Sequence, residues 1–348
     1  MTADRDIHIL RYFSSFISVS GGRVINVTDP MLAFCPLASH LYKGFKGGVR
    51  FDKEAIKREI KKVIEAKIEA YGFFTTKRKL LCSDTAIPYG ASEMLMFGLK
   101  KKVIDAAVVV CDGAGTVVTG SGDVAQGIGA RMNSLLLTSP IENIKERLKE
   151  LGCQVVFDHA LIDQAEGVKT AIQQGYKKIA VTIGGHDAQK LKEIRQWESS
   201  GGAEVTILVV CTTGITSDKV EKIRYDADLV WSCASQEIRQ QAGSQALLQI
   251  SRKIPVFALT QRGVGLFAAM AEEDAPWETL DANKQYLFSC EPKGREVRLG
   301  RSKAFLREEK LPVSSQKSFF MAEAHNIRGR VRWGTITKEV FPNIRARS

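Results

Sequence analysis

Residues 106–120 read AAVVVCDGAGTVVTG, and the way this stretch ends decides the fold. Ala106 to Val110 are small or β-branched and apolar, the mark of a strand buried on both faces. Cys111 and Asp112 follow, then Gly113-Ala114-Gly115-Thr116, so the strand stops at a bend carrying a thiol and a carboxylate. Glycines there let backbone come close to a ligand. The stretch is read as the carboxyl end of a buried parallel strand, opening onto a loop that leads to a helix over about 123–133.

The same alternation runs outward on both sides. A helical period spans about 91–102. Downstream, SLLLT (134–138), CQVVF (153–157), KIAVTI (178–183), VTILVV (205–210), LVWSC (229–233) and PVFAL (255–259) read as strands. Helical patterns separate them, including SQEIRQQAGSQALLQISR over 235–252, and a last helix covers about 263–273. About seven short apolar strands alternating with helices predict an α/β fold, a Rossmann-like, doubly wound, mainly parallel sheet over residues 51–280. A closed eight-stranded barrel needs one more βα unit than the sequence offers. Residues 1–50 read as a β-hairpin around Ser20-Gly21-Gly22 followed by a Cys35-Pro36 loop. FDKEAIKREIKKVIEAKIEAYG (51–72) is a helix, with Ile56, Ile60, Val63, Ile64 and Ile68 at three- and four-residue spacing and Gly72 as its stop. Residues 281–348 form a basic extension.

The net charge of +11 is unevenly placed. From Glu291 to Ser348 there are 14 Lys or Arg against 6 Asp or Glu, so +8 of the +11 sits in the extension. Such a segment binds nucleic acid or an acidic surface, or it is a solvated or oligomer-contacting extension. The second reading is preferred, because in RGRVRWG only Trp333 interleaves with the arginines. No apolar run approaches the ~20 residues of a membrane span, and the N-terminus lacks a secretory h-region. A cytoplasmic protein without a nucleic-acid or membrane partner is expected. The 7 cysteines form no C-x-x-C pair, and no metal site is expected.

Cofactor fingerprints exclude more than they admit. G-x-G-x-x-G fails after Gly115, and neither a P-loop nor a G-x-S-x-G elbow is present. What remains is a set of small, polar strand ends: CDGAGT (111–116), TIGGHD (182–187), CTTG (211–214), SCAS (232–235) and LTQRG (259–263). In an open parallel sheet such ends face one crevice. The candidate cofactor contacts are Cys111, Gly113, Gly115, Thr182, Gly184, Gly185, Thr212, Thr213, Gly214, Ser235 and Thr260. Asp112 and Thr116 are the candidate catalytic residues. Asp112 has two readings: it binds a ribose hydroxyl or positions a water, or it caps nearby backbone N–H groups. Asp163 and Glu166 are explained by a helix N-terminus. Cys111, Cys211 and Cys233 all lie at strand ends, either converging to hold iron or receive a methyl group, or packing as small apolar side chains.

AAVVVCDGAGTVV, IDQAEGVKTAI with YKKIAVT, IPVFALT and FCPL near the N-terminus resemble the methanogenesis marker protein 8 family of methanogenic archaea, over about Ile7 to Glu273. That family is in turn similar to the pyridinol C-methyltransferase that helps build the iron-guanylylpyridinol cofactor, a Rossmann-like homodimer. The resemblance implies S-adenosylmethionine as cofactor, a pyridinol-like cofactor precursor as acceptor and a homodimer as assembly. A non-catalytic accessory or maturation factor for a methanogenic enzyme is the alternative. No catalytic residue transfers from that enzyme to a numbered position here.

Overall fold

The computed structural model describes residues 6–12, 14–30, 53–271, 277, 280–299 and 302–313. The chain opens with three antiparallel strands, β1 (His8–Tyr12), β2 (Ser15–Ser20) and β3 (Arg23–Val27). The expected hairpin is present, and its turn uses Gly21 and Gly22, both at positive φ. The amphipathic helix α1 (Lys53–Tyr71) lays Ile56, Ile60, Val63, Ile64 and Ile68 on this sheet, forming a core with Leu10, Ile17 and Val19. The Cys35-Pro36 loop lies outside the described residues.

After α2 (Ala91–Lys100) comes β4 (Ala106–Cys111), buried except at the half-buried Val110. Its successive side chains divide between two faces. Ala107, Val109 and Cys111 enter one core, and Ala106 and Val108 enter the other, as the two-residue period of a strand requires. The bend that follows is a hairpin turn and not a loop into a helix. β5 (Gly115–Thr119) returns antiparallel to β4, with Cys111 opposite Gly115 and Val108 opposite Val118. Gly113 and Gly115 supply the turn with φ of +77° and +70°, a region other residues enter only at a cost. Val117 and Val118 bury one on each face. The helix expected from residue 123 is α3 (Gly122–Gly129), capped by the Ser121 hydroxyl; the intervening strand is why it starts late.

SLLLT forms β6 (Ser134–Thr138), but it pairs antiparallel with β1 and completes a four-stranded sheet with the N-terminal strands. Then follow α4 (Glu142–Glu150), the two-residue strand β7 (Gln154–Val155), α5 (Gln164–Gln173) and β8 (Lys178–Gly184). α6 (Leu191–Gly201), β9 (Glu204–Val210), α7 (Ser217–Asp226) and β10 (Leu229–Trp231) continue the alternation. The helix expected over 235–252 is replaced by short helical turns and a strand, β11 (Leu248–Ile250). Beyond it lie β12 (Val256–Ala258), α8 (Gln261–Ala268), β13 (Tyr286–Ser289), β14 (Arg295–Leu299) and β15 (Ser302–Glu308).

The protein is thus α/β. Its large sheet has eleven strands in the order β14-β15-β13-β11-β12-β10-β9-β8-β4-β5-β7. The expectation of a mainly parallel sheet needs correction. The pairings β4–β5, β5–β7, β10–β12, β11–β12, β13–β15 and β14–β15 are antiparallel. The parallel part is a central block, β4-β8-β9-β10, with a separate parallel pair β11–β13. The first part of the basic extension is not a free tail, because β13 hydrogen-bonds to β11 and carries β15 and β14 with it. RGRVRWG lies outside the described residues.

Candidate functional site

The four strands of the central block point their carboxyl ends the same way, and a cavity of about 760 Å³ lies there. Its sheet wall is Val109 and Val110 of β4, Thr182 and Gly184 of β8, and Val210 and Trp231 at the ends of β9 and β10. One side of α1 closes it with Val63, Ala66, Lys67 and Ala70, and the segment from Arg131 to Leu135 closes another edge. Ligand pockets have this size and this mostly apolar lining with few polar groups. Gly184 matters sterically. A Cβ there would sit 2.3 Å from the His186 ring, so glycine lets the imidazole lie against the strand end.

The polar groups among this lining are individually placed. Lys67 faces inward from the apolar stripe of α1, and its Nζ donates to the Arg131 carbonyl and to Asn133 Oδ1, both at 2.8 Å. Burial, with the Arg131 charge adding to it, pushes its ammonium down to about 7. Arg131 adopts φ of +64° and lays its guanidinium over the Tyr71 ring at 4.7 Å. His186 Nε2 lies 3.1 Å from Asp187 Oδ2. Burial alone would raise the Asp187 carboxyl, but contacts with His186 and Gln189 and the nearby Lys190 charge hold it below the usual range. Gln164, at the start of α5, is 5% exposed, and its Oε1 has no partner among the described residues. Glu93 is committed to structure, accepting from Ala86 N, Ile87 N, Ser92 Oγ and Gln126 Nε2. Cys211 and Cys233 both line the cavity at φ of +57° and +46°, and burial pushes the Cys211 thiol up, against thiolate character.

The family described as uncharacterized protein conserved in archaea (DUF2099) matches residues 8–272. The chain belongs to this family. A relative in Methanocaldococcus jannaschii, itself described as an uncharacterized protein, is 38% identical over 261 residues, covering 74% of this chain and 87% of the relative. The DUF2099 match encloses every residue named above as bounding the cavity and stops short of β13, β14 and β15. No helix among the described residues is long and apolar enough to cross a membrane.

Within this DUF2099 fold the residues singled out from the sequence separate into two groups. Thr182 and Gly184 line the cavity, and so do Cys211 and Cys233. The rest of the candidates hold structure together. Asp112 is fully buried and accepts from Phe74 N at 2.6 Å and Arg78 Nε at 2.8 Å. Of its two readings, the one that engages backbone N–H is the geometry observed, with an ion pair added. Thr116 Oγ1 donates to the Leu161 carbonyl and accepts from Asp163 N, tying the hairpin to the start of α5. Cys111 packs in the core, so the three thiols do not meet at the cavity. Gly113 packs on Ile141 and Gly115 on the Ala160 carbonyl. Gly185 abuts Thr212, whose hydroxyl donates to the Trp231 carbonyl at 2.6 Å. Thr213 accepts from Ala234 N, Gly214 makes a left-handed turn, Ser235 accepts from Ile238 N, and Thr260 caps α8 and donates to Asp228. Asp163 caps α5 as expected.

Lys67, Arg131, Gln164 and His186 escaped the sequence reading. The one available signal was Lys67 itself. It falls three residues after Ile64 and four after Val63, on the apolar stripe where a solvated lysine does not belong. His186 stood in the quoted TIGGHD segment, but nothing in the spacing set it apart from its neighbours.

Proposed function

We propose that the protein binds a small organic molecule in this cavity and methylates it with S-adenosylmethionine, as an archaeal enzyme acting on a pyridinol-like cofactor precursor. The observation that carries the reading is the cavity's position across the carboxyl ends of β4, β8, β9 and β10, where open α/β sheets bind ligands. The methyl-transfer chemistry comes from the resemblance to the methanogenesis marker proteins and the pyridinol methyltransferase. The lining residues suit an adenosyl ligand in kind. Gln164 offers a buried carboxamide oxygen, unpartnered among the described residues, to accept from a base amine or ribose hydroxyl, and Thr182 and Gly184 offer a low wall at the strand end. S-adenosylmethionine supplies an electrophilic methyl group when bound. The chain's contribution is to hold the acceptor in line with it and to exclude water, an orientation effect. Calorimetric titration with S-adenosylmethionine and its demethylated product tests the reading, and no heat at millimolar ligand sinks it.

A second reading, a non-catalytic binding or maturation factor, is favoured by the structural commitment of two buried carboxylates, Asp112, the predicted catalytic residue, and Glu93, on the cavity wall. Retention of a small molecule by the native protein without turnover would select it.

A further inference from the structure

The edge of the cavity between α1 and β6 carries a concentration of cationic groups. Arg131 stands just beyond α3 in a left-handed conformation. A bulky residue adopts φ of +64° only where its surroundings impose it, and such positions cluster at functional sites. Here the conformation turns the Arg131 carbonyl onto Lys67 Nζ, at 2.8 Å, while the side chain lines the cavity and stacks on Tyr71. Among the described residues no carboxylate, hydroxyl or carbonyl accepts a hydrogen bond from the Arg131 guanidinium. Its planar fork of five N–H donors is therefore available to a ligand.

We propose that this edge is an oxyanion site, and that the molecule held in the cavity is an organic anion whose carboxylate or phosphate is gripped by Arg131 and neutralised by Lys67. The proposal rests on the reading of the cavity as a binding site and adds the class of its ligand. A guanidinium stacked on an aromatic ring matches a carboxylate or phosphate in two parallel hydrogen bonds, which an ammonium cannot do. The rest of the cavity, with Val109, Ile183, Val210 and Trp231, suits the apolar body of the same molecule.

Among the described residues, the carboxylates facing the cavity are engaged elsewhere or offset. Glu93 has its oxygens engaged by four donors, and Asp187 is paired with His186. Glu59 and Lys62 oppose each other in sign on α1. Lys67 adds a linkage. Its ammonium is held at about 7, chiefly by burial, so just above neutral pH part of the population is uncharged. An anion placed beside it favours the charged form, and binding draws a proton from the buffer.

The test is calorimetric titration of the full chain with benzoate, phenyl phosphate and the neutral isostere benzamide. Either anion binding about tenfold or more tightly than benzamide supports the site, and which anion wins distinguishes carboxylate from phosphate. Arg131→Gln removes the preference, and Arg131→Lys, which keeps the charge without the fork, restores only part of it. Repeating the benzoate titration just above neutral pH in buffers of different ionisation heat reads proton uptake, which vanishes in Lys67→Met. Equal affinity for benzoate and benzamide, or a preference that survives Arg131→Gln, overturns the proposal. Should none of the three probes bind while S-adenosylmethionine does, the oxyanion site is wrong and the cavity reading stands. Should nothing bind, both fall.

Discussion

Replacing Asp112 with asparagine keeps the size of the side chain and removes its charge. In the native protein the carboxylate is 0% exposed and its partner Arg78 is 1% exposed. Arg78 also donates to the carbonyls of Lys79 and Ile128, and its guanidinium lies 3.9 Å from the Phe73 ring centroid. The pair therefore clamps the segment after α1 onto the end of β4 and the end of α3. In Asp112→Asn the guanidinium becomes a buried cation without its anion, and one of the two acceptor contacts turns into an N–H facing a donor. Breaking a buried pair in this way costs about 3–5 kcal/mol, a large share of the roughly 5–15 kcal/mol that holds a protein together. With a urea dependence of about 3 kcal/mol per molar, the unfolding midpoint falls by roughly 1–2 M. Adding Arg78→Met, which removes the stranded cation, recovers part of the loss, because the two sites are coupled. Urea unfolding followed by far-UV circular dichroism measures all three proteins. A single-variant loss below about 1 kcal/mol, or unchanged stability combined with lost ligand binding, would refute the reasoning and return Asp112 to a chemical role.

The other expectations concern glycines and the buried lysine. Gly115→Ala would place a Cβ 2.4 Å from the Ala160 backbone at a φ of +70°, and a loss of at least about 3 kcal/mol is expected. Gly21→Ala, at +55° with no atom within 4 Å, costs only about 1 kcal/mol, and thermal unfolding compares the two. Gly184→Ala displaces the His186 ring and weakens binding of S-adenosylhomocysteine in calorimetry, while unfolding shifts little. Lys67 takes up protons more readily in the unfolded chain than in the folded one, whose value is depressed to about 7. Between that value and the ordinary lysine range, stability therefore rises with pH. Urea unfolding across this window should show that rise in the wild type and lose it in Lys67→Met.

The central parallel block was legible because its strands carry an unambiguous pattern. KIAVTI and VTILVV are apolar on both faces, and only a sheet covered on both sides buries such a run. The hairpin was not legible for an equally physical reason. Gly113-Ala114-Gly115 is as good a loop as it is a turn, and what selects the turn is the packing of Val117 and Val118 on opposite faces and of Gly115 against Ala160. SLLLT was recognisable as a strand, but periodicity does not say which sheet a strand joins, and β6 found β1. ALLQI, with its helical neighbours, read as helix until the pairing of β11 with β12 and β13 overrode its local preference. At the site, small strand-end residues pointed to the right end of the sheet, with Thr182 and Gly184 on the cavity wall. Arg131 and Lys67 depend on a left-handed backbone and on α1 bringing Lys67 to the segment just before β6, relations between distant segments that residue spacing does not encode.

The central claim is that the cavity beyond β8, β9 and β10 is where this protein holds a small molecule. A crystal structure grown with S-adenosylhomocysteine tests it most directly. The account predicts ligand density bounded by Thr182, Gly184, Gln164 and Trp231. Density over the Gly113–Gly115 turn, or a cavity that stays empty at saturating ligand, would contradict it.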